Sequence, residues 1–127
     1  MHEKHLYEYV VIRVVPRVEC EEFLNVGLLL FCKRQKYLRS QIRFNINKLS
    51  LFQTELDVEQ LKINLHSFEL ISKGVKNGGP IAQFEVSERF RWLSAVRSSC
   101  IQTSRPHSGF ADDLDETFER LFDELIG

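Results

Sequence analysis

The densest group of side chains that could perform chemistry lies within residues 88–109. Its candidate binding residues are Arg89, Arg97, Ser98, Gln102 and His107. Guanidinium and hydroxyl groups donate hydrogen bonds to phosphate or carboxylate oxygens, and an imidazole can exchange a proton near neutral pH. The segment is therefore a candidate site for an anionic ligand or a phosphorylated partner. The alternative is a structural polar network in which Arg97 and Gln102 pair with the acidic final helix or with loop carbonyls.

A second group is basic and lies within residues 31–50, which contain no acidic side chain. The candidate nucleic-acid contacts in it are Lys33, Arg34, Lys36, Tyr37, Arg39 and Arg43. Tyr37 is the aromatic side chain available for stacking on a base. The pI of about 6.4 weighs against nucleic-acid binding, and a basic hairpin also protects a sheet edge from mispairing.

The sequence lacks the common catalytic motifs. It contains no GxxxxGK[ST], GxGxxG, GxSxG, HExxH or CxxC. The sequence therefore gives no support for nucleotide hydrolysis, dinucleotide binding, hydrolase chemistry or zincin chemistry. No histidine is a sequence neighbour of a cysteine, and we predict no metal site and no cofactor. A nucleophilic pair of Cys100 and His107 would require the fold to bring the two together.

Length and composition indicate one domain over residues 1–127. Hydrophobic residues make up 43% and charged residues 28%, and the mean hydropathy is -0.21. The three cysteines are expected to be buried thiols in a reducing compartment. The longest uncharged apolar stretch, residues 26–32, is too short to span a bilayer, and the N-terminus does not read as a signal peptide. We therefore expect a cytoplasmic protein with no membrane association.

Hydrophobic patterning predicts an antiparallel meander followed by helices. The predicted strands are residues 6–15, which Pro16 ends, residues 26–32 and residues 37–44. Residues 19–23 are expected to form a turn or a short helix. Gly27 inside the second strand indicates a bulge or a close approach of another backbone.

The remaining chain alternates between helical and extended patterns. A helix is predicted from the Asp57 cap to Gly74, and a short second helix follows with Ser87 as its N-cap and extends through Ser94. After these we predict a strand over residues 98–103, a loop over residues 104–109 and a last helix capped by Asp112 or Asp113. The order β-β-β-α-α-β-α predicts an α+β fold. We expect an antiparallel sheet of about four strands with helices packed on one face.

Three separated segments resemble one family of bacterial proteins. They are YVVIRVVPR with EEFLNVGLLLFC, then GPIAQFEVSERFRWLSAVRSS, and then QTSRPHSG before an amphipathic helix. In order and spacing they resemble the family of uncharacterised proteins known as domain of unknown function 3037. Two positions depart from the pattern: Val96 stands where the family has proline, and residues 105–109 replace a Pro-x-His-Thr-Gly-like turn.

The resemblance implies a fold and a bacterial origin but no reaction. It also implies a context, because members are often encoded beside a kinase related to HipA, the kinase of toxin and antitoxin systems. Residues 1–50 carry nine Lys/Arg and five Asp/Glu, whereas residues 111–127 carry one and seven, which gives two surfaces of opposite charge. We expect an accessory or interaction protein without catalytic activity, with a HipA-like kinase as a possible protein partner. The alternatives are a phosphate- or nucleotide-binding domain or enzyme that uses residues 88–109, and a nucleic-acid-binding protein.

Overall fold

The computed structural model describes residues 4–17, 22–45, 47, 57–95 and 100–127. The strands are β1 (His5–Arg17), β2 (Glu22–Cys32), β3 (Tyr37–Ile42), β4 (Ile101–Thr103) and β5 (His107–Ala111). The helices are α1 (Val58–Lys73), α2 (Val86–Leu93) and α3 (Leu114–Leu125), and two 3-10 turns, Lys76–Gly78 and Ile81–Gln83, connect α1 to α2.

The five strands form one antiparallel sheet with β1 at its centre. The order is β3-β2-β1-β4, and β5 pairs with β1 on the same side as β4. The predicted α+β class and antiparallel sheet are confirmed. Several strand boundaries differ from the prediction. β1 continues through Pro16 to Arg17, β2 begins at Glu22, inside the segment predicted as a turn or short helix, and β3 ends at Ile42.

The side chains of β1 alternate between two hydrophobic cores. Val10, Ile12 and Val14 pack with α1 and α2 on one face, which we call the α1/α2 face. Tyr7 and Val11 pack with α3 on the other, the α3 face. We predicted that all helices pack on one face of the sheet, and this detail is wrong. α1 and α2 pack on one face, whereas α3 packs on the other, which is also the face of the polar residues of β3.

A β-bulge lies where β1 pairs with β2. Ile12 is opposite Gly27 and Arg13 is opposite Asn25, so Val26 is the extra residue. A Cβ atom on Gly27 would lie 2.8 Å from the carbonyl oxygen of Gln41 on β3. Both interpretations of Gly27, a bulge and a close backbone approach, are therefore confirmed.

The prediction of a loop over residues 104–109 is wrong, because residues 107–111 form β5. β4 and β5 pair with β1 in registers that differ by one residue, so they act as one edge strand interrupted by a bulge. At the bulge the N–H of Ser104 donates to the carbonyl of Val11 (2.9 Å), and the N–H of Val11 donates to the Ser104 hydroxyl oxygen (2.8 Å). The serine side chain replaces the backbone acceptor that the bulge displaces.

The helix caps largely follow the sequence. The Asp57 carboxylate accepts from Gln60 N–H at the start of α1, and Gly74 ends it with a positive φ of 70°. Asp113 caps α3 through Glu116 N–H. The short helix α2 differs from the prediction, since Glu85 and not Ser87 is its N-cap residue and makes no side-chain cap bond.

Cys32 is buried in the core on the α3 face, whereas Cys100 packs against the α1/α2 core. Cys20 lies outside the described residues. The structure contains no helix, among the residues described, that is long and apolar enough to cross a membrane.

Replacing Ser104 by alanine should destabilise the fold by about 1–3 kcal/mol, because the buried N–H of Val11 would lose its acceptor. Urea unfolding measures this change. Ser108→Ala, on the exposed side of β5, is the matched control and should stay within about 0.5 kcal/mol of wild type. Equal stability of the two variants would contradict the role given to the Ser104 hydroxyl.

Candidate functional site

The described candidate residues of the segment 88–109 do not converge on one cleft. Gln102 is opposite Arg13 and His107 is opposite Tyr9, which places both on the α3 face of the sheet. Arg89 belongs to α2 on the other face. Arg97 and Ser98 lie outside the described residues. Three of the five predicted residues are thus divided between two surfaces by the sheet.

The Arg89 side chain is bound by backbone carbonyls. Its Nη1 donates to the carbonyl oxygens of Ile71 (3.1 Å) and Ser72 (2.8 Å) at the end of α1, and its Nε donates to that of Phe84 (3.0 Å). Burial lowers the pKa of this guanidinium below its usual range. A Cβ atom on Gly74 would lie 2.7 Å from Nη1, so the glycine also makes room for the arginine. Arg89 therefore ties α2 to the C-terminus of α1.

Gln102 and His107 lie beside Arg13 and Tyr9, which were not among the predicted site residues. The ring of Tyr9 stacks on that of His107 with centroids 5.1 Å apart, and Arg13 lies across the strand pair from Gln102. Arg13 also stacks on the ring of Phe23 at 4.3 Å. A signal was present, since Arg13 is a charged residue inside a strand whose other residues are largely apolar.

Three of the six nucleic-acid candidates form hydrogen bonds or cation–π contacts with α3. The Tyr37 hydroxyl donates to Asp115 Oδ1 (2.6 Å), and Arg39 Nη1 donates to the same oxygen (3.1 Å). The guanidinium of Arg39 stacks on the ring of Phe118 at 4.3 Å, and that of Arg43 lies 4.9 Å from the Phe122 ring.

The other three candidates lie in the turn between β2 and β3: they are Lys33, Arg34 and Lys36. The basic stretch is therefore not a continuous surface. Its strand residues hold the last helix against the sheet, and its turn residues remain exposed.

Two further kinds of chemistry receive no geometric support. Cys100 packs into the α1/α2 core while His107 lies on the opposite face, so the fold does not bring this pair together. Within the described part of the chain, no three His, Cys, Asp or Glu side chains lie close enough together to hold a metal ion.

An apolar pair is exposed at the open end of the sheet. Leu6 and Phe110 are opposite each other on β1 and β5, on the α1/α2 face, and their exposed fractions are 54% and 67%. Among the described residues β5 pairs only with β1, so its outer edge is unpaired. Lysine or proline in an edge strand commonly prevents it from pairing with another chain. The residues of β5 include neither.

The model of the family "Protein of unknown function (DUF3037)" matches residues 9–126. The chain belongs to this family. The DUF3037 match includes all the candidate residues from Lys33 to His107. No curated protein and no solved structure matches the chain.

Arg89→Met should lower the free energy of unfolding by roughly 1–3 kcal/mol, because it leaves helix-end carbonyls without a donor. Arg91→Met, two residues away on an exposed side of α2, makes the same change of charge and should alter stability by about 0.5 kcal/mol or less. Denaturant unfolding of both variants is the measurement. A destabilisation of equal size in both would refute the specific role of Arg89.

The ionisation of the Tyr37 hydroxyl at alkaline pH reports on the contact between β3 and α3. Burial, and next the hydrogen bond to Asp115, raise the pKa of Tyr37 to about 12. In the unfolded chain a tyrosine ionises near pH ~10, so the stability that this proton contributes is complete below that pH and is lost as the pH rises towards 12.

We expect Tyr37→Phe to remove the step at about pH 12 from an ultraviolet titration of the folded protein. Its stability should also depend less on pH in this alkaline range. Tyr9→Phe keeps Tyr37 and should keep the step. Persistence of the step in Tyr37→Phe would exclude this assignment.

Proposed function

We propose that this protein is a non-catalytic interaction module that binds a protein partner along the outer edge of β5. The observation that carries the proposal is the exposed pair of Leu6 and Phe110 beside an unpaired strand edge. An extended segment of the partner adds a strand to β5 through backbone hydrogen bonds. Its alternate apolar side chains cover Leu6 and Phe110.

The divided positions of the candidate residues also support a binding role over a catalytic one. Arg89 is occupied by carbonyls, and His107 stacks on Tyr9 on the other side of the sheet. General acid or base chemistry requires such groups within reach of one substrate. Gln102 and His107 are instead placed on the β4–β5 edge, where they can contribute to recognition.

The partner that the family context suggests is a HipA-like kinase in the cytoplasm of a bacterium. We propose it as the first protein to look for, in keeping with an accessory role in a toxin and antitoxin system. The open edge requires an extended loop or terminus of the partner with free backbone groups and apolar side chains at every second position.

The test is affinity purification of the tagged protein from its native host at endogenous expression, followed by mass spectrometry. The variant Phe110→Lys places a charge at the centre of the proposed contact. Ile63→Lys is the matched control, because Ile63 is 61% exposed on α1. We expect wild type and Ile63→Lys to recover one partner in stoichiometric amount, and Phe110→Lys to reduce its recovery on the order of tenfold or more.

The two variants replace exposed side chains, so both should fold, and thermal unfolding checks this. Recovery of the protein alone would overturn the proposal, as would equal recovery by the two lysine variants. A recovered partner that is not a kinase would retain the interaction module and reject the kinase.

A further inference from the structure

A groove runs between α2 and the turn that joins β2 to β3. It consists of two adjoining cavities of about 290 Å³ and about 380 Å³, which share Lys33 and Ser87 in their walls. Arg91 lines the first cavity and Lys36 the second. We call this surface, with Lys33, Lys36, Arg91 and Ser87 as its polar donors, the basic groove.

Four cations line the basic groove, and one of them, Arg89 in the second cavity, is held by backbone carbonyls. The other three have no partner among the residues that the structure describes. The side chains of Lys33, Lys36 and Arg91 form neither an ion pair nor a hydrogen bond with them. This separates them from Arg39 and Arg89, whose guanidinium groups are held by α3 and by helix carbonyls. Three unpaired cations around one concavity attract an anion with more than one negative charge.

The start of α2 adds neutral donors to the same groove. Val86 and Ser87 line the second cavity, and the helix begins at Val86 without a side-chain cap. The first N–H groups of a helix have no intrahelical acceptor. The Ser87 hydroxyl forms no hydrogen bond with any described residue. Ammonium, guanidinium, hydroxyl and amide donors together match the several oxygens of a phosphate group.

Each cavity also has a carboxylate in its wall, Glu8 in the first and Glu85 in the second. Glu8 projects from β1 beside Phe31 and Phe90, whose rings stack with centroids 4.5 Å apart. A carboxylate would repel a bare phosphate, but it accepts hydrogen bonds from hydroxyl groups. The volumes fall near the lower end of the range for small-molecule sites. The groove therefore combines a phosphate subsite and a hydroxyl subsite at the scale of a small compound.

We infer that the basic groove binds a small phosphorylated compound that carries hydroxyl groups, such as a sugar phosphate or a nucleotide. Lys33 and Arg91 hold the phosphate, Ser87 and the start of α2 orient it, and Glu8 accepts from the hydroxyl groups. The groove adjoins β5, since Glu8 is opposite Ser108, but it uses other side chains than Leu6 and Phe110. It therefore extends the function beyond partner binding and can fail independently of it.

The test is isothermal titration calorimetry of the full chain at low ionic strength with three probes: inorganic phosphate, ribose 5-phosphate and ADP. Wild type should bind ribose 5-phosphate more tightly than inorganic phosphate. Lys33→Met and Arg91→Met should each raise the Kd for ribose 5-phosphate by about tenfold or more. Lys76→Met makes the same charge change outside the groove and should bind as wild type does.

Glu8→Gln distinguishes the hydroxyl subsite from simple attraction of charge. It removes a negative charge near the phosphate, so inorganic phosphate should bind equally well or more tightly. It also weakens the acceptor for hydroxyl groups, so the preference for ribose 5-phosphate over inorganic phosphate should fall. An unchanged preference would overturn the role of Glu8 and with it the choice of a hydroxyl-bearing ligand.

ADP, the third probe, distinguishes a nucleotide from a sugar phosphate as the ligand. Phe84 lines the second cavity and is 43% exposed, so its ring is available to stack on a base. Tighter binding of ADP than of ribose 5-phosphate, reduced by Phe84→Ala, supports a nucleotide, and equal binding supports a sugar phosphate. Absence of binding by all three probes, or unchanged Kd in Lys33→Met and Arg91→Met, would overturn the proposal.

Discussion

The structure depends on a central strand that is buried on both faces and paired on both edges. On β1, Val10, Ile12 and Val14 are fully buried against α1 and α2, and Tyr7 and Val11 are buried against α3. Because side chains alternate along a strand, a slip of one residue would exchange the two sets between cores of different shape. The two-sided burial therefore fixes the register of the sheet, and with it the positions of the turn beside α2 and of the open edge at β5.

Both edges of β1 carry a bulge near Ile12. On one side the extra residue is Val26 of β2, and on the other it lies between β4 and β5, where Ser104 supplies the missing acceptor. Bulges increase the local twist of a sheet and change the direction of the strand that carries them. They divide the β4–β5 edge into a part that is covered at Thr103 and a part that leaves Phe110 exposed. The exposed pair at the end of the sheet is thus a consequence of how the edge strand is interrupted.

The basic side chains fall into two groups with different environments. Arg39 and Arg43 cover aromatic rings of α3, and Arg89 satisfies the carbonyls that end α1, so these cations stabilise contacts between elements. Lys33, Lys36 and Arg91 surround a concavity without partners among the described residues. The two charged residues of the apolar run in β1 show a similar division. Glu8 lines the basic groove, while Arg13 lies on the opposite face beside Gln102.

The elements whose signals are local could be predicted from the amino-acid sequence alone. Alternation and apolar runs predicted β1, β2 and β3, and the caps at Asp57 and Gly74 predicted α1, because strand faces and helix ends are set by neighbouring residues. β5 has no such local signal, and its polar sequence becomes a strand because the free edge of β1 supplies its hydrogen bonds. Which cations are free also depends on tertiary contacts, since Arg89 and Arg91 look alike in sequence and differ only in what the fold places beside them. Local patterns specify which face a side chain occupies, whereas its partners come from elements distant along the chain.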